Sequence, residues 1–248
     1  MDRDALRRAY DEQVRRGGRS GAVVREDSPT WAGVAWSDLD EDTVDAAVAE
    51  QVRHFAGRAW EWKHYSYDAP ADLPARLAAA GLVAGEPETV LVADLRAVRL
   101  DAPAPPGIEL REVDGAADAA DLVAVHDAVF GGDHSAIGRE LLASVTTVGV
   151  VARAGGVPVA AGRVELGPGP DFAGLWGGGT LPEWRGRGLF RALVAHRAQR
   201  AAARGHRFLQ VDATAASAPI LRRLGFVELA VTTPFTLALS APPTPPTG

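Results

Sequence analysis

One stretch, Gly177 to Leu193, restricts the fold more than any other part of this chain. A glycine-rich extended run closes at Pro182, turns through Gly186 and Gly188, and enters a helix. That helix presents Leu189, Leu193 and Val194 inward and Arg197, Arg200 and Arg204 outward, as a helix laid on a sheet would. A strand-to-helix turn of this kind leaves the first backbone N–H groups of the helix without carbonyl partners. Together with the positive end of the helix dipole they form a site for a phosphate or pyrophosphate. Gly186 and Gly188 let the backbone come close, and Arg185 and Arg187 add full charges. No Gly-Lys-Ser/Thr is present, and Gly186-Arg187-Gly188 is followed by Arg191 where a dinucleotide fingerprint needs glycine. Spacing alone also fits an ordinary glycine-rich turn with incidental arginines.

Around this turn the elements alternate. Ile108 to Val113 reads as a strand, Ala116 to Phe130 and Ala136 to Val145 as helices, and Thr147 to Arg153 as a strand. Gly155-Gly156 folds that strand onto Val157 to Leu166. Then come an extended Phe172 to Leu181, the helix from Gly188 to Arg204 and a strand from Phe208 to Ala213. A short helix, Ala218 to Leu224, is stopped by Gly225, and a last strand lies within Val227 to Leu239. This order predicts an α+β or mixed α/β layer.

The proline-rich Asp101 to Gly107 reads as a linker, so residues 1–100 and 108–240 are expected to be separate domains. The tail 241–248 is expected to be disordered. In the first domain, Asp40 to His54 and Ala71 to Ala80 read as helices, and Trp60 to Tyr67 and Thr89 to Leu95 as strands. Leu77 to Leu82 echoes Leu221 to Phe226, which suggests a degenerate half-copy of the second domain. The aromatics of Trp60 to Tyr67 suit a core strand, or an aromatic wall of a binding pocket should the two halves face each other.

The chain has no cysteine, which excludes disulfides, thiolate nucleophiles and cysteine-held metal. No His/Asp/Glu set has metal spacing, so no metal is expected. The net charge of −6 argues against nucleic-acid binding and permits attraction of a cationic amine. Only Lys63 among the cationic residues is a lysine, so arginine abundance reflects coding bias and position must carry any anion argument. There is no apolar run of the ~18 residues that would suggest a membrane span. The charged N-terminus lacks a signal peptide. A cytoplasmic monomer or homodimer is expected, with no membrane partner.

Arg185-Gly186-Arg187-Gly188-Leu189-Phe190 resembles the acyl-CoA pyrophosphate loop of the GNAT N-acetyltransferase superfamily. Leu181-Pro182-Glu183-Trp184 is similar to that family's lead-in, Phe208 to Ala213 to its fifth strand, and Pro219 to Phe226 to its short helix ending in Leu-Gly-Phe. The resemblance covers roughly the last 135 residues. It implies a GNAT fold, with a degenerate GNAT-like lobe before it, and acetyl-CoA as co-substrate. The acceptor would be an amine of a small molecule or peptide, acylated by direct attack. The resemblance also implies that the fourth and fifth strands splay, with the CoA along Gly178, Gly179, Thr180 and Leu181 and the pyrophosphate on Arg185, Gly186, Arg187, Gly188, Leu189 and Phe190. Phe190 stands where the family has Gly or Ala, Leu221 where many members carry the tyrosine that protonates the thiolate, and Thr214 where asparagine is common. Ser217 is then the candidate acid. Glu165 and Asp171, at the ends of neighbouring strands, are the candidate bases for the amine. His126 is expected on a polar helix face. A non-catalytic acyl-CoA sensor is the other reading, motivated by Leu221 and Phe190.

Overall fold

A computed structural model describes residues 2–28, 31–167, 169 and 171–237. The proline-rich tail 241–248 and the expected end of the last strand at Leu239 lie outside them. By contact the chain forms two compact units: Met1–Gly17 with Glu88–Ala230, and Gly18–Pro87 with Val231–Gly248.

The first unit opens with α1 (Arg3–Tyr10), capped by the Asp2 carboxylate accepting from Asp4 N–H, and a π-helical turn over Asp11–Arg15. Its later elements are β5 (Glu88–Asp94), β6 (Ile108–Glu112), α4 (Ala116–Phe130), α5 (Ser135–Ala143), β7 (Thr147–Ala154), β8 (Val157–Glu165), β9 (Phe172–Thr180), α6 (Leu189–Ala203), β10 (Phe208–Ala213) and α7 (Ala218–Arg223). Strands β6 to β9 form an antiparallel meander, β9 and β10 pair in parallel, and β10 pairs antiparallel with β5.

Alternation along β7 sorts the two faces. Val150 and Ala152 pack with Leu189 and Leu193 of α6, whereas Val151 packs with Leu122 and Val125 of α4. Helices α6 and α7 share a core with Leu175, Leu209 and Leu91. Each such fully buried Leu or Val contributes about 1.5–3 kcal/mol of transfer free energy.

The second unit holds β1 (Val23–Asp27), β2 (Ala32–Ser37), α2 (Val44–His54), β3 (Glu61–Tyr65), α3 (Leu73–Ala79), β4 (Leu82–Ala84) and the later residues of β11 (Val227–Leu237). Strand β2 pairs antiparallel with β1 and in parallel with β3, which pairs antiparallel with β11. Trp60 and Trp62 are buried with Phe55, Leu73 and Leu77, and the Phe55 and Trp60 rings stack at 4.9 Å. Trp60, Trp62 and Tyr65 are therefore core residues of this unit.

The contact units do not follow the break at 101–107. Strand β5, from the expected first domain, pairs with β10 across six positions. The far part of β11, from the expected second, pairs with β3 and β4. Each unit thus contains a strand from the other's stretch of sequence. Among the described residues, no helix is long and apolar enough to cross a membrane.

Candidate functional site

The first unit contains two adjoining cavities. Strands β9 and β10 pair only from Phe172 to Gly174 and from Phe208 to Gln210, and separate beyond that point. At Gly177, whose φ is +57°, the pairing of β8 with β9 shifts register, a bulge that bends the strand.

The larger cavity, about 780 Å³, runs from Gly178, Gly179 and Thr180 to Arg185, Gly186, Gly188, Leu189, Phe190 and Arg191, with Thr214 and Ser217 opposite. Gly188 precedes α6 with φ of 88° and Gly186 has φ of 75°, left-handed conformations that suit glycine. The α6 ladder starts with Ala192 N–H donating to Gly188 O. The N–H groups of Leu189, Phe190 and Arg191 thus have no carbonyl to reach within the helix. Arg185 is fixed by Nε donating to Thr180 O at 3.1 Å. Thr180 Oγ1 is buried with no partner among the described residues, an orphaned polar atom on the cavity wall. Open helix-start donors, an arginine at the rim and an orphaned hydroxyl suit a long, polar, phosphate-bearing ligand.

Leu181 and Arg187 do not line this cavity. The Leu181 N–H donates to Val159 O. Arg187 stacks on Trp184 at 4.6 Å and donates to Glu183 O.

The inner cavity, about 280 Å³, lies where β9 and β10 have parted. Trp176, Gly177, Val211 and Asp212 line it, with Glu88, His126, His134, Arg163, Arg197 and Leu221. Phe130, Gly178, Phe190, Thr214 and Ser217 line both cavities. The Phe190 ring fits there because Gly178 has no side chain: a Cβ at 178 would lie 3.1 Å from Phe190 Cε2. Leu221 is fully buried beneath the inner cavity. Ser217 Oγ donates to Thr214 O at 3.3 Å.

The two acids named from the sequence lie elsewhere. Glu165 lines neither cavity and pairs with Arg163 at 3.3 Å. Asp171 accepts from Gln13 Nε2 at 2.8 Å while its N–H donates to Gln13 Oε1, so it ties down the N-terminal π-helical turn. The carboxylates that do line the inner cavity are Glu88 and Asp212.

Two expectations about side-chain burial are corrected. His126 is 1% exposed, not on a polar face. It sits against Phe130 and His134, whose Nδ1 is 2.8 Å from the Asp127 carboxylate. Neither His126 ring nitrogen has a hydrogen bond of good geometry. Burial, and then the nearby Arg163 charge, push its pKa down to about 4, so the ring is neutral at pH 7. Arg197, expected outward on α6, is also 1% exposed. It donates from Nε to Leu193 O and from Nη1 to Arg163 O and Trp176 O.

Residues 130–226 match the acetyltransferase (GNAT) family model. None of the curated proteins matches the chain. Among solved structures, a GCN5-related N-acetyltransferase from Kribbella flavida is 20% identical with a TM-score of 0.72, over 94% of this chain and 96% of its own. A tandem GNAT protein from the clavulanic acid biosynthesis pathway gives 14% and 0.61, over 90% of this chain and 82% of its own. A GCN5-related N-acetyltransferase from Sphaerobacter thermophilus gives 16% and 0.60, over 86% and 74%. At these identities the likeness is one of fold: a mixed α/β GNAT fold.

Proposed function

We propose that this chain, whose residues 130–226 match the acetyltransferase (GNAT) family model, is an acyltransferase that moves an acetyl or other short acyl group from acyl-CoA to an amine of a small molecule or peptide. The observation that carries this reading is the junction of the two cavities. A helix start rich in free N–H donors and an unpaired strand edge lead to the point where β9 and β10 part.

In this reading Gly186, Gly188, Leu189 and Phe190 offer backbone donors to the pyrophosphate, with Arg185 at the rim. The β9 edge at Gly178, Gly179 and Thr180 orients the pantetheine arm. Bound acyl-CoA would supply a thioester carbon open to direct attack, the N–C bond forming as the C–S bond breaks. A backbone N–H of the β9 edge polarises the carbonyl.

The amine must first lose a proton. An alkylammonium has a pKa of ~10.4 and cannot attack until it does so. Asp212 and Glu88, which line the inner cavity, take that role in place of Glu165 and Asp171. Leu221 has no proton to give, so the thiolate, with a pKa of ~8.5, leaves to water or to the Ser217 hydroxyl.

The test is release of free CoA from acetyl-CoA with a panel of primary amines, against an amine-free control. Amine-dependent release is the expected result. Acetyl-CoA that binds but never turns over with any amine would instead make the chain a sensor of acyl-CoA.

A further inference from the structure

We infer that the inner cavity receives a carboxylate carried by one of the two reactants, on the free side of the Arg197 guanidinium; this rests on the acyl-transfer reading above. Arg197 is 1% exposed and lines that cavity. Its Nε and Nη1 are spent on the carbonyls of Leu193, Arg163 and Trp176. Nη2 donates to nothing among the described residues, and Glu165 pairs with the neighbouring Arg163. Glu88 and Asp212 line the same cavity.

A charged group taken out of water without a counter-ion is unfavourable unless something compensates it. Three carbonyls cover part of this guanidinium. The neighbouring charge is a second cation, Arg163, which makes the deficit larger. Burial and Arg163 draw the Arg197 pKa down to about 10, which leaves it charged at neutral pH.

The fold also clears space for the group. A Cβ at Gly162 would stand 2.7 Å from Nη1, and one at Gly178 would stand 3.3 Å from Nη2. Gly178 further lines both cavities, so Nη2 is at the passage between them. A planar guanidinium with open donors is matched to a carboxylate, and a volume of about 280 Å³ admits only a small group. That carboxylate can arrive on an amino-acid acceptor or on a dicarboxylic acyl chain.

The experiment has two arms on the full chain. With acetyl-CoA, amino acids are compared with their carboxamides. With a neutral amine, succinyl-CoA is compared with butyryl-CoA. We expect kcat/KM to favour the charged member of one pair by about 50-fold or more, the scale of a buried charge-assisted hydrogen bond. The arm that shows the preference identifies the source. Arg197→Met should shrink the preference to a few-fold at most, by losing the donor. Should that variant fail to fold, Arg197→Lys keeps the charge but loses the fork, and the preference should fall about tenfold. Wild-type turnover with no preference in either arm overturns this inference and leaves acyl transfer standing. No turnover with any pair overturns both.

Discussion

In the second unit β2, α2, β3 and α3 follow one another as β9, α6, β10 and α7 do in the first. Each run is a strand, a helix, a parallel strand and a short helix stopped by glycine. The match extends to single residues. Leu77 and Leu221 are both fully buried, Gly81 and Gly225 have φ of 90° and 92°, and Leu82 and Phe226 are buried just after them. These likenesses support reading residues 1–100 as a degenerate GNAT-like half.

On the function proposed above, the differences explain why one half would bind CoA and the other not. Before α6 stand Arg185, Gly186, Arg187 and Gly188; before α2 stand Asp38, Asp40, Glu41 and Asp42. The Asp40 carboxylate already accepts from the N–H groups of Asp42 and Thr43 and from the Thr43 hydroxyl, so its own side chain caps the loop. An anion would meet filled donors and like charge. In the first unit the parted strands enclose a cavity; in the second, Val34, Trp60, Trp62 and Phe235 fill the core. The same backbone plan thus yields a site or a solid core, according to a few side chains.

The largest effect is expected from separating the halves at the linker. A fragment 108–248 lacks β5, α1 and the π-helical turn, which leaves the β10 edge open and removes the Asp94 partner of Arg207. Open apolar edges aggregate or unfold. Circular dichroism melting should show no cooperative transition for this fragment. A folded, CoA-binding fragment would mean that the strand exchange is not needed.

Next in size is the base. Asp212→Asn should lower the rate at pH 7 by ~100-fold, the usual weight of a general base, and recover partly at higher pH as free amine accumulates. Glu165→Gln, outside both cavities, should change it by less than about threefold. Steady-state pH profiles of the two variants decide the matter, and the opposite ranking would return the role to Glu165.

The loop comes third. Gly188→Val puts a branched side chain at φ of 88° in the cavity mouth. It should weaken acetyl-CoA binding by about tenfold or more, ~1.4 kcal/mol. Calorimetry should also give one acetyl-CoA per chain. Two per chain would break the contrast between the halves.

Much of the first unit was legible in the sequence. Alternation and glycine stops placed α4 and β10 at their observed bounds, and β7, β8, β9, α6 and α7 within two residues. The glycine turn was legible because glycine at positive φ has a specific backbone meaning. The first 39 residues hold α1, β1 and β2, which lie outside the elements read from the sequence, although Leu6 and Tyr10 of α1 are buried at helical spacing. Arg197 and His126 depart from expectation for a different reason: each is a polar side chain at a position whose spacing is apolar. Arg197 continues the i+4 row of Leu189 and Leu193, which runs on to Ala201, and all are buried. His126 lies one turn after Leu122, beside Val125. Both polar residues sit in apolar rows, and Gly162 and Gly177 on the facing strands were the clue that room had been left for them. Glu165 and Asp171 are near the turn along the chain, but nearness in sequence does not fix where a side chain lies.

The smallest predicted effect isolates one of the two residues in apolar rows, the neutral imidazole beside the cavity. In the unfolded chain His126 would titrate near 6.5, whereas in the fold burial lowers its pKa to about 4. Between these values the unfolded state binds more protons, so stability falls as pH drops through that window and is unaffected by this group above it. Going from pH 7 to pH 5.5, linkage through this one group amounts to about 1 kcal/mol, a shift of a few degrees in Tm. His206 is shifted in the same direction by burial and Arg204, so the wild-type curve alone cannot assign the loss. The readout is therefore a difference: His126→Leu keeps an apolar side chain in the α4 row and removes the titration. Its Tm should fall less between pH 7 and 5.5 than that of the wild type. Equal slopes would mean that His126 is open enough to solvent to protonate in the folded state, and that the inner cavity is wetter than its burial implies.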